Sequence, residues 1–414
     1  MRRSIDIAMT DRSTLALFPL RVKQDAGQFI AGRPCTGSYV ALSRGALEAA
    51  ELLARGRSIG DTKAALAAPR LRPLLETLLA AGMVRSVDGT PLEEPLAPRR
   101  YHLTFLRRRH VAWLFSRPAL VVYAALFVGG LGIVLAAPRY LPHAADAIVV
   151  RDPMGNLALL WSVSLLAMAL HELAHLLAAT YLGVQASFAI SYRLFFAVAQ
   201  TDLTDLWLVD RNKRYVAYVA GMVNDLLLAS AAVTALWLHD HGMLPLGAHL
   251  YGTLRLAVLV LVFGVLWQGN FYLRTDVYYV IANATGCRNL SRDAAAYLRA
   301  GLARLFARST PMLPAPALPA NERRIVRGYA ALMVLGTAGV VALGAAYAAG
   351  LVYALLHRHA LDPALRVSRQ VAPAGLMPVL ASLAVTCAWL AYAVVSKRRR
   401  RPRVTYRLVA LEGL

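Results

Sequence analysis

Residues 157–183 read LALLWSVSLLAMALHELAHLLAATYLG, an apolar run of membrane-crossing length interrupted by His171, Glu172 and His175. On a helix, residues four apart share a face, so the two imidazoles can reach one divalent metal ion. Glu172 follows the first histidine directly, where a carboxylate can take a proton from water activated at the ion without binding the ion itself. Ionisable groups are costly at membrane depth. Three of them within five residues point to a metal site rather than to a pair of core histidines. At 1.5 Å per residue, His171 lies about 21 Å beyond Leu157, past the middle of a hydrocarbon core about 30 Å thick.

The rest of the chain suits such a setting. Hydrophobic residues make up 58% and charged residues 16%, and the mean hydropathy is +0.50, values of a polytopic membrane protein with a soluble part. The net charge of +22 comes from arginines clustered beside apolar runs. Positive-inside topology and anionic lipid account for them, so no nucleic-acid partner is expected. Cys35, Cys287 and Cys387 are far apart, which predicts neither a disulfide framework nor thiolate zinc binding. Met1 to Leu20 carries Asp6, Asp11 and Arg12 without a sustained apolar core, which predicts no cleaved signal peptide and a first domain in the cytosol.

Residues 1–98 read as that domain and its linker. Short apolar pieces broken by Gly27, Gly32, Pro34 and Gly37 suit strands and turns. Ser43 caps a first helix ended by Gly56, Ser58 with Asp61 opens a second, a third runs from Arg70 to Ala81, and Met83 to Val87 returns as a strand. This is a small α+β domain of winged-helix type. Such a domain binds a peptide along a strand edge, binds DNA, or only packs.

Arg99, Arg100, Arg107, Arg108, Arg109 and Arg117 precede the apolar stretch Ala119 to Ala137, so the first span runs outward. The motif helix returns, Tyr215 to Leu238 runs outward, and the stretch from Tyr251 runs inward. This catalytic core covers residues 99–308. Residues 309–414 hold a linker with Pro311, Pro314, Pro316 and Pro319, two spans near Tyr329–Leu356 and Leu376–Val395, and a basic tail from Lys397. The expected fold is mainly α, a bundle of about six spans with both termini in the cytosol, in the cytoplasmic membrane of a bacterium.

Several polar residues fall at the level of the histidines. Ser187 to Gln200 has period-two character in places and reads as a hairpin or edge strand dipping beside the metal, or as an interfacial loop. Asn224 and Asp225 interrupt the third span. Asp225 is a reserve metal ligand or proton-transfer group, and Asn224 a partner for substrate backbone or for the ligands; an interhelical hydrogen bond is the structural alternative. Asp276 ends the fourth span, where a carboxylate from a second helix supplies the third ligand that zinc needs. His239, His241 and His249 are loosely spaced in an outer loop and read as solvated.

His171-Glu172-Leu173-Ala174-His175 with Gly183, the stretch Thr201 to Trp207, Ala220-Gly221 with Asn224, and Leu273-Arg274-Thr275-Asp276 with Tyr278-Tyr279 together resemble the site-2 protease family. More closely, they resemble its peptide zinc metalloprotease branch, in which a recognition domain precedes the membrane part. Residues 39–43, 52–58 and 78–84 are similar to leader-peptide recognition domains, in which a peptide adds as a strand. The resemblance implies Zn2+ held by His171, His175 and Asp276, Glu172 as general base, and an intramembrane endopeptidase that removes a leader from, or matures, a ribosomally made peptide. The alternatives are cleavage of a transmembrane regulator, or a non-catalytic membrane subunit for peptide binding or export. Val277 and Met222 stand where the family commonly has Gly and Pro, and Phe271 stands where it has Pro, departures that bear on the backbone at Asp276.

Overall fold

The structure is a computed structural model that describes residues 3–25, 27–67, 71–93, 99, 101, 104–193, 196–305, 320–356 and 404–412. After β1 (Arg3–Thr10) and β2 (Leu15–Leu17), strands β3 (Arg21–Asp25), β4 (Gln28–Arg33) and β5 (Ser38–Leu42) form an antiparallel meander. Gly27, at φ +79°, takes the left-handed turn between β3 and β4 that a side chain would strain. Ser43 accepts the Ala46 amide and opens α1 (Arg44–Ala54), and Ser58 accepts the Asp61 amide and opens α2 (Ile59–Leu66). α3 (Arg72–Ala80) begins two residues later than Arg70, with Pro73 in its first turn, where its missing amide costs nothing. β6 (Val84–Val87) then pairs with β2 and with β7 (Thr90–Pro91), so the expected linker begins as a strand. Leu74, Leu75, Leu78 and Leu79 recur at helical spacing and close the core against Leu42, Leu53 and Ile59.

The remaining elements are α4 (Arg108–Val111), α5 (Arg117–Ala136), α6 (Pro153–Tyr181), β8 (Ser187–Arg193), β9 (Phe196–Asp202), α7 (Arg211–Asp240), α8 (Ala248–Trp267), α9 (Asp276–Thr285), α10 (Leu290–Leu305), α11 (Ala320–Leu356) and β10 (Val404–Glu412). Among the described residues, five helices are long and apolar enough to cross a membrane: α5, α6, α7, α8 and residues 322–342 of α11. The chain is mainly helical and has the helices of a membrane protein. The expected sixth span, Leu376 to Val395, lies outside the described residues, as do the linker prolines, Cys387 and Lys397 to Arg401.

α7 is the central post, packed against α5, α6, α8 and α9. A Cβ on Gly130 would lie 2.7 Å from Ser230 Cβ, so glycine is what lets α5 approach α7. Outward, α5 exposes Leu120, Val121, Val122, Val128 and Leu135, the apolar surface that lipid covers.

Further features differ from expectation. α6 starts at Pro153 rather than Leu157, because Asp152 Oδ2 accepts the Gly155 amide at 2.6 Å and caps it. Asp276 does not end the fourth span: α8 stops at Trp267, the chain turns through Phe271–Leu273 and through Arg274 at φ +61°, and Asp276 opens α9. The tail beyond the basic cluster is a strand, β10, paired parallel with β1 from the opposite end of the chain.

The N-terminal domain sits on the end of the bundle where α7 begins. Asp25 receives Arg214 at 3.1 Å and Arg288 at 3.4 Å. Arg214 is 1% exposed and also donates to the Leu206 and Val209 carbonyls, so this buried cation is fully partnered.

Candidate metal centre

α6 sets His171 and His175 one turn apart, with their Nε2 atoms 3.2 Å from each other. From the start of α9, Asp276 Oδ2 lies 2.9 Å from His171 Nε2 and 3.1 Å from His175 Nε2. Among the described residues, these three side chains form the one cluster whose ligating atoms gather closely enough for a metal, all within 4.8 Å.

The opposite edges of both rings are held. His175 Nδ1 lies 2.7 Å from the Ala217 carbonyl and His171 Nδ1 2.7 Å from Asp225 Oδ2. A carbonyl only accepts, so Nδ1 of His175 carries the proton and Nε2 turns its lone pair toward Asp276; the Asp225 carboxylate imposes the same tautomer on His171. Two neutral imidazole nitrogens and one carboxylate oxygen, converging from two helices, fit a divalent metal ion.

Of the two polar residues in the third span, Asp225 lies behind His171, on the edge of the ring away from Asp276. Asn224, one step of helix away, does not line the cavity, and its Nδ2 is buried with no partner among the described residues. Gly221, one turn before Asp225, has a role that no spacing rule signals. A Cβ there would lie 2.5 Å from His171 Cε1 and 2.6 Å from Cδ2, inside contact distance.

Glu172 points to a partner that sequence reasoning passed over. Its Oε2 accepts the Thr201 amide at 2.6 Å and the Thr201 hydroxyl at 2.7 Å. Among the described residues no group donates to Oε1. Thr201 belongs to β9, which pairs antiparallel with β8 from Ser187↔Asp202 to Arg193↔Phe196, so the stretch after α6 is a hairpin. The sequence hints at it twice, with a hydroxyl at the end of a mostly apolar strand and with Thr201 at the head of a stretch that carries the family resemblance, but neither hint names Glu172 as its partner.

His171, Glu172, His175, Thr201 and Asp276 share a cavity of about 550 Å³ with an apolar wall that includes Trp267. Gln268 ties the two sides of the turn together, accepting the Asp276 amide at 3.0 Å while its carbonyl accepts the Thr275 hydroxyl at 2.7 Å. The left-handed residue of this turn is Arg274, and Val277 is not at positive φ. Valine at 277 is therefore compatible with the geometry at Asp276. No known protein family, curated protein or solved structure matches the chain.

Proposed function

We propose that the chain is an intramembrane zinc metalloendopeptidase of the site-2 protease type, in its peptide zinc metalloprotease branch. The observation that carries this reading is the meeting of His171, His175 and Asp276 at one point, with Glu172 beside them in a peptide-sized cavity. When bound, zinc supplies a Lewis acid that polarises a peptide carbonyl and lowers the pKa of water.

The protein's own groups do the rest. Glu172 accepts the proton of the attacking water on Oε1 and returns it to the departing amine nitrogen. Thr201 fixes Oε2. Asp225 and the Ala217 carbonyl hold the imidazoles in the ligating tautomer. The apolar wall keeps bulk water out, and substrate must enter extended, because a helix hides its carbonyls in its own hydrogen bonds. The β8–β9 hairpin offers backbone groups for such a segment to pair with.

The N-terminal domain, a sheet, three helices and a returning hairpin, has the element order of a winged-helix-type recognition module and would capture the leader of a ribosomally made peptide. With the arginine-rich flank of α5 on the cytosolic side, that domain and the metal centre both face the cytosol of a bacterium. The test is Glu172→Gln in the full-length, zinc-loaded protein. Zinc content is kept and peptide hydrolysis falls about 10²–10⁴-fold. A zinc-loaded wild type that binds peptide and cleaves none would replace this reading with that of a non-catalytic subunit.

A further inference from the structure

The end of β9 faces two ways. Successive side chains of a strand point to opposite sides. Thr201 turns to Glu172, while Asp202 turns the other way to Arg99, in the segment that leaves the N-terminal domain, its Oδ2 lying 2.7 Å from Arg99 Nη2. Three residues on, Asp205 is 4% exposed and surrounded by donors from the N-terminal domain and from the segment that leaves it. Its Oδ1 receives the Tyr39 hydroxyl at 2.7 Å and Arg99 Nη1 at 3.1 Å, and its Oδ2 lies 3.1 Å from the Tyr101 hydroxyl.

Arg99 is itself anchored in the domain. Its amide donates to the Cys35 carbonyl at 2.7 Å, and its guanidinium lies against Gly37, filling the space where a side chain would stand. The Tyr101 hydroxyl is also 2.7 Å from the Pro34 carbonyl. Within the membrane core, Asp202 accepts the Thr204 amide at 3.0 Å, which stiffens the link between the two carboxylates. A planar guanidinium bridging two carboxylates fixes direction as well as distance.

Resting on the protease reading above, we propose that the N-terminal domain is a working part of the active site: through Tyr39, and through Arg99 and Tyr101, which follow the domain and are anchored on it, it fixes Asp202 and Asp205, and so sets Thr201, the positioning residue for Glu172. Thr201 touches no substrate atom in this role. It removes the rotational freedom of a carboxylate that must present one oxygen to water, a freedom whose loss is a recognised source of rate. Docking of the domain therefore governs turnover as well as capture.

The experiment uses the full-length, zinc-loaded chain and a short peptide without a leader. Thr201→Val, which keeps the amide donor and loses the hydroxyl, lowers kcat about tenfold with KM and zinc content unchanged, while Thr201→Ser, which keeps both donors, restores most of the rate. Arg99→Lys combined with Tyr39→Phe lowers kcat in the same way, with KM for the leaderless peptide unchanged. It also speeds backbone hydrogen exchange across residues 196–205 about tenfold. The exchange measurement needs no hydrolysis, so it judges the coupling even if the chain cleaves nothing. Unchanged exchange in the Arg99/Tyr39 variant, or equal rates for Thr201→Val and wild type, would overturn the proposal.

Discussion

Gly221→Ala is a small change with a large expected consequence. The new methyl carbon would lie 2.5 Å from His171 Cε1 and 2.6 Å from Cδ2, against the roughly 3.5–4.0 Å at which such atoms rest. The ring would have to retreat by about 1 Å. It cannot do so freely, because Asp225 holds Nδ1 at 2.7 Å and Asp276 lies 2.9 Å from Nε2. Ligand distances in a metal site tolerate only about 0.2 Å. Overpacking of this kind costs about 1–3 kcal/mol, and taken entirely from metal affinity it corresponds to roughly a 5- to 150-fold weaker Kd at 1.4 kcal/mol per tenfold. The assay is competition for zinc with a chromophoric chelator on the purified full-length protein. Gly132→Ala on α5, where an added Cβ meets nothing within 4 Å, is the control and keeps wild-type affinity. Wild-type affinity in Gly221→Ala would refute the placement of α7 against His171.

Asp225→Ala removes the acceptor that orients His171 and is expected to weaken zinc about 10–100-fold in the same competition assay; an unchanged Kd would deny Asp225 that role. Burial and the neighbouring Asp205 carboxylate push the Tyr101 hydroxyl up to about 12, and the same causes push Tyr39 up further. The folded protein thus keeps protons that unfolded tyrosines release near pH 10, so stability drawn from this contact is full below about pH 10 and is lost as pH rises toward 12. Thermal melting against pH should show that alkaline decline, and Tyr39→Phe with Tyr101→Phe should flatten it; an equally steep decline in the double variant would contradict the assignment. Truncation before Val404 removes β10 and bares the edge of β1, so exchange protection across residues 3–10 should fall and self-association rise; protection that persists would show that β1 does not depend on its partner.

The sequence was most legible where one element holds the whole signal. Ser43 and Ser58 cap the helices they were expected to cap, and the apolar runs ending at Ala136 and Tyr181 are membrane-length helices. The pairing of His171 with His175 follows from helical spacing alone. What stayed hidden depends on contacts between distant segments. Thr201 meets Glu172 across the hairpin, and the chain between them carries no periodic trace of that meeting. Asn224 and Asp225 are equally polar neighbours, and only the rotation of α7 decides that Asp225 turns to His171. Asp276 was expected at the end of a span because the turn before it lacks the usual signal: its left-handed residue is Arg274, not a glycine. The β1–β10 ladder joins the two ends of the chain, a pairing that no local propensity can announce.

These contacts share a direction. α7 supplies Gly221, the Ala217 carbonyl and Asp225 to the back of the two histidines. β9 supplies Thr201 to Glu172, and the start of α9 supplies Asp276 to the front. Each candidate ligand is thereby held by an element other than its own, an arrangement that gives a site the rigidity metal binding rewards.

The central claim is that His171, His175 and Asp276 hold one divalent ion. It is tested most directly by elemental analysis of the purified full-length protein after zinc loading and removal of excess metal, beside Asp276→Ala. The account predicts about one zinc per chain in the wild type, from a single three-ligand site, and a lost or sharply weakened complement in the variant. No zinc in the wild type, or the same content in both, would contradict it.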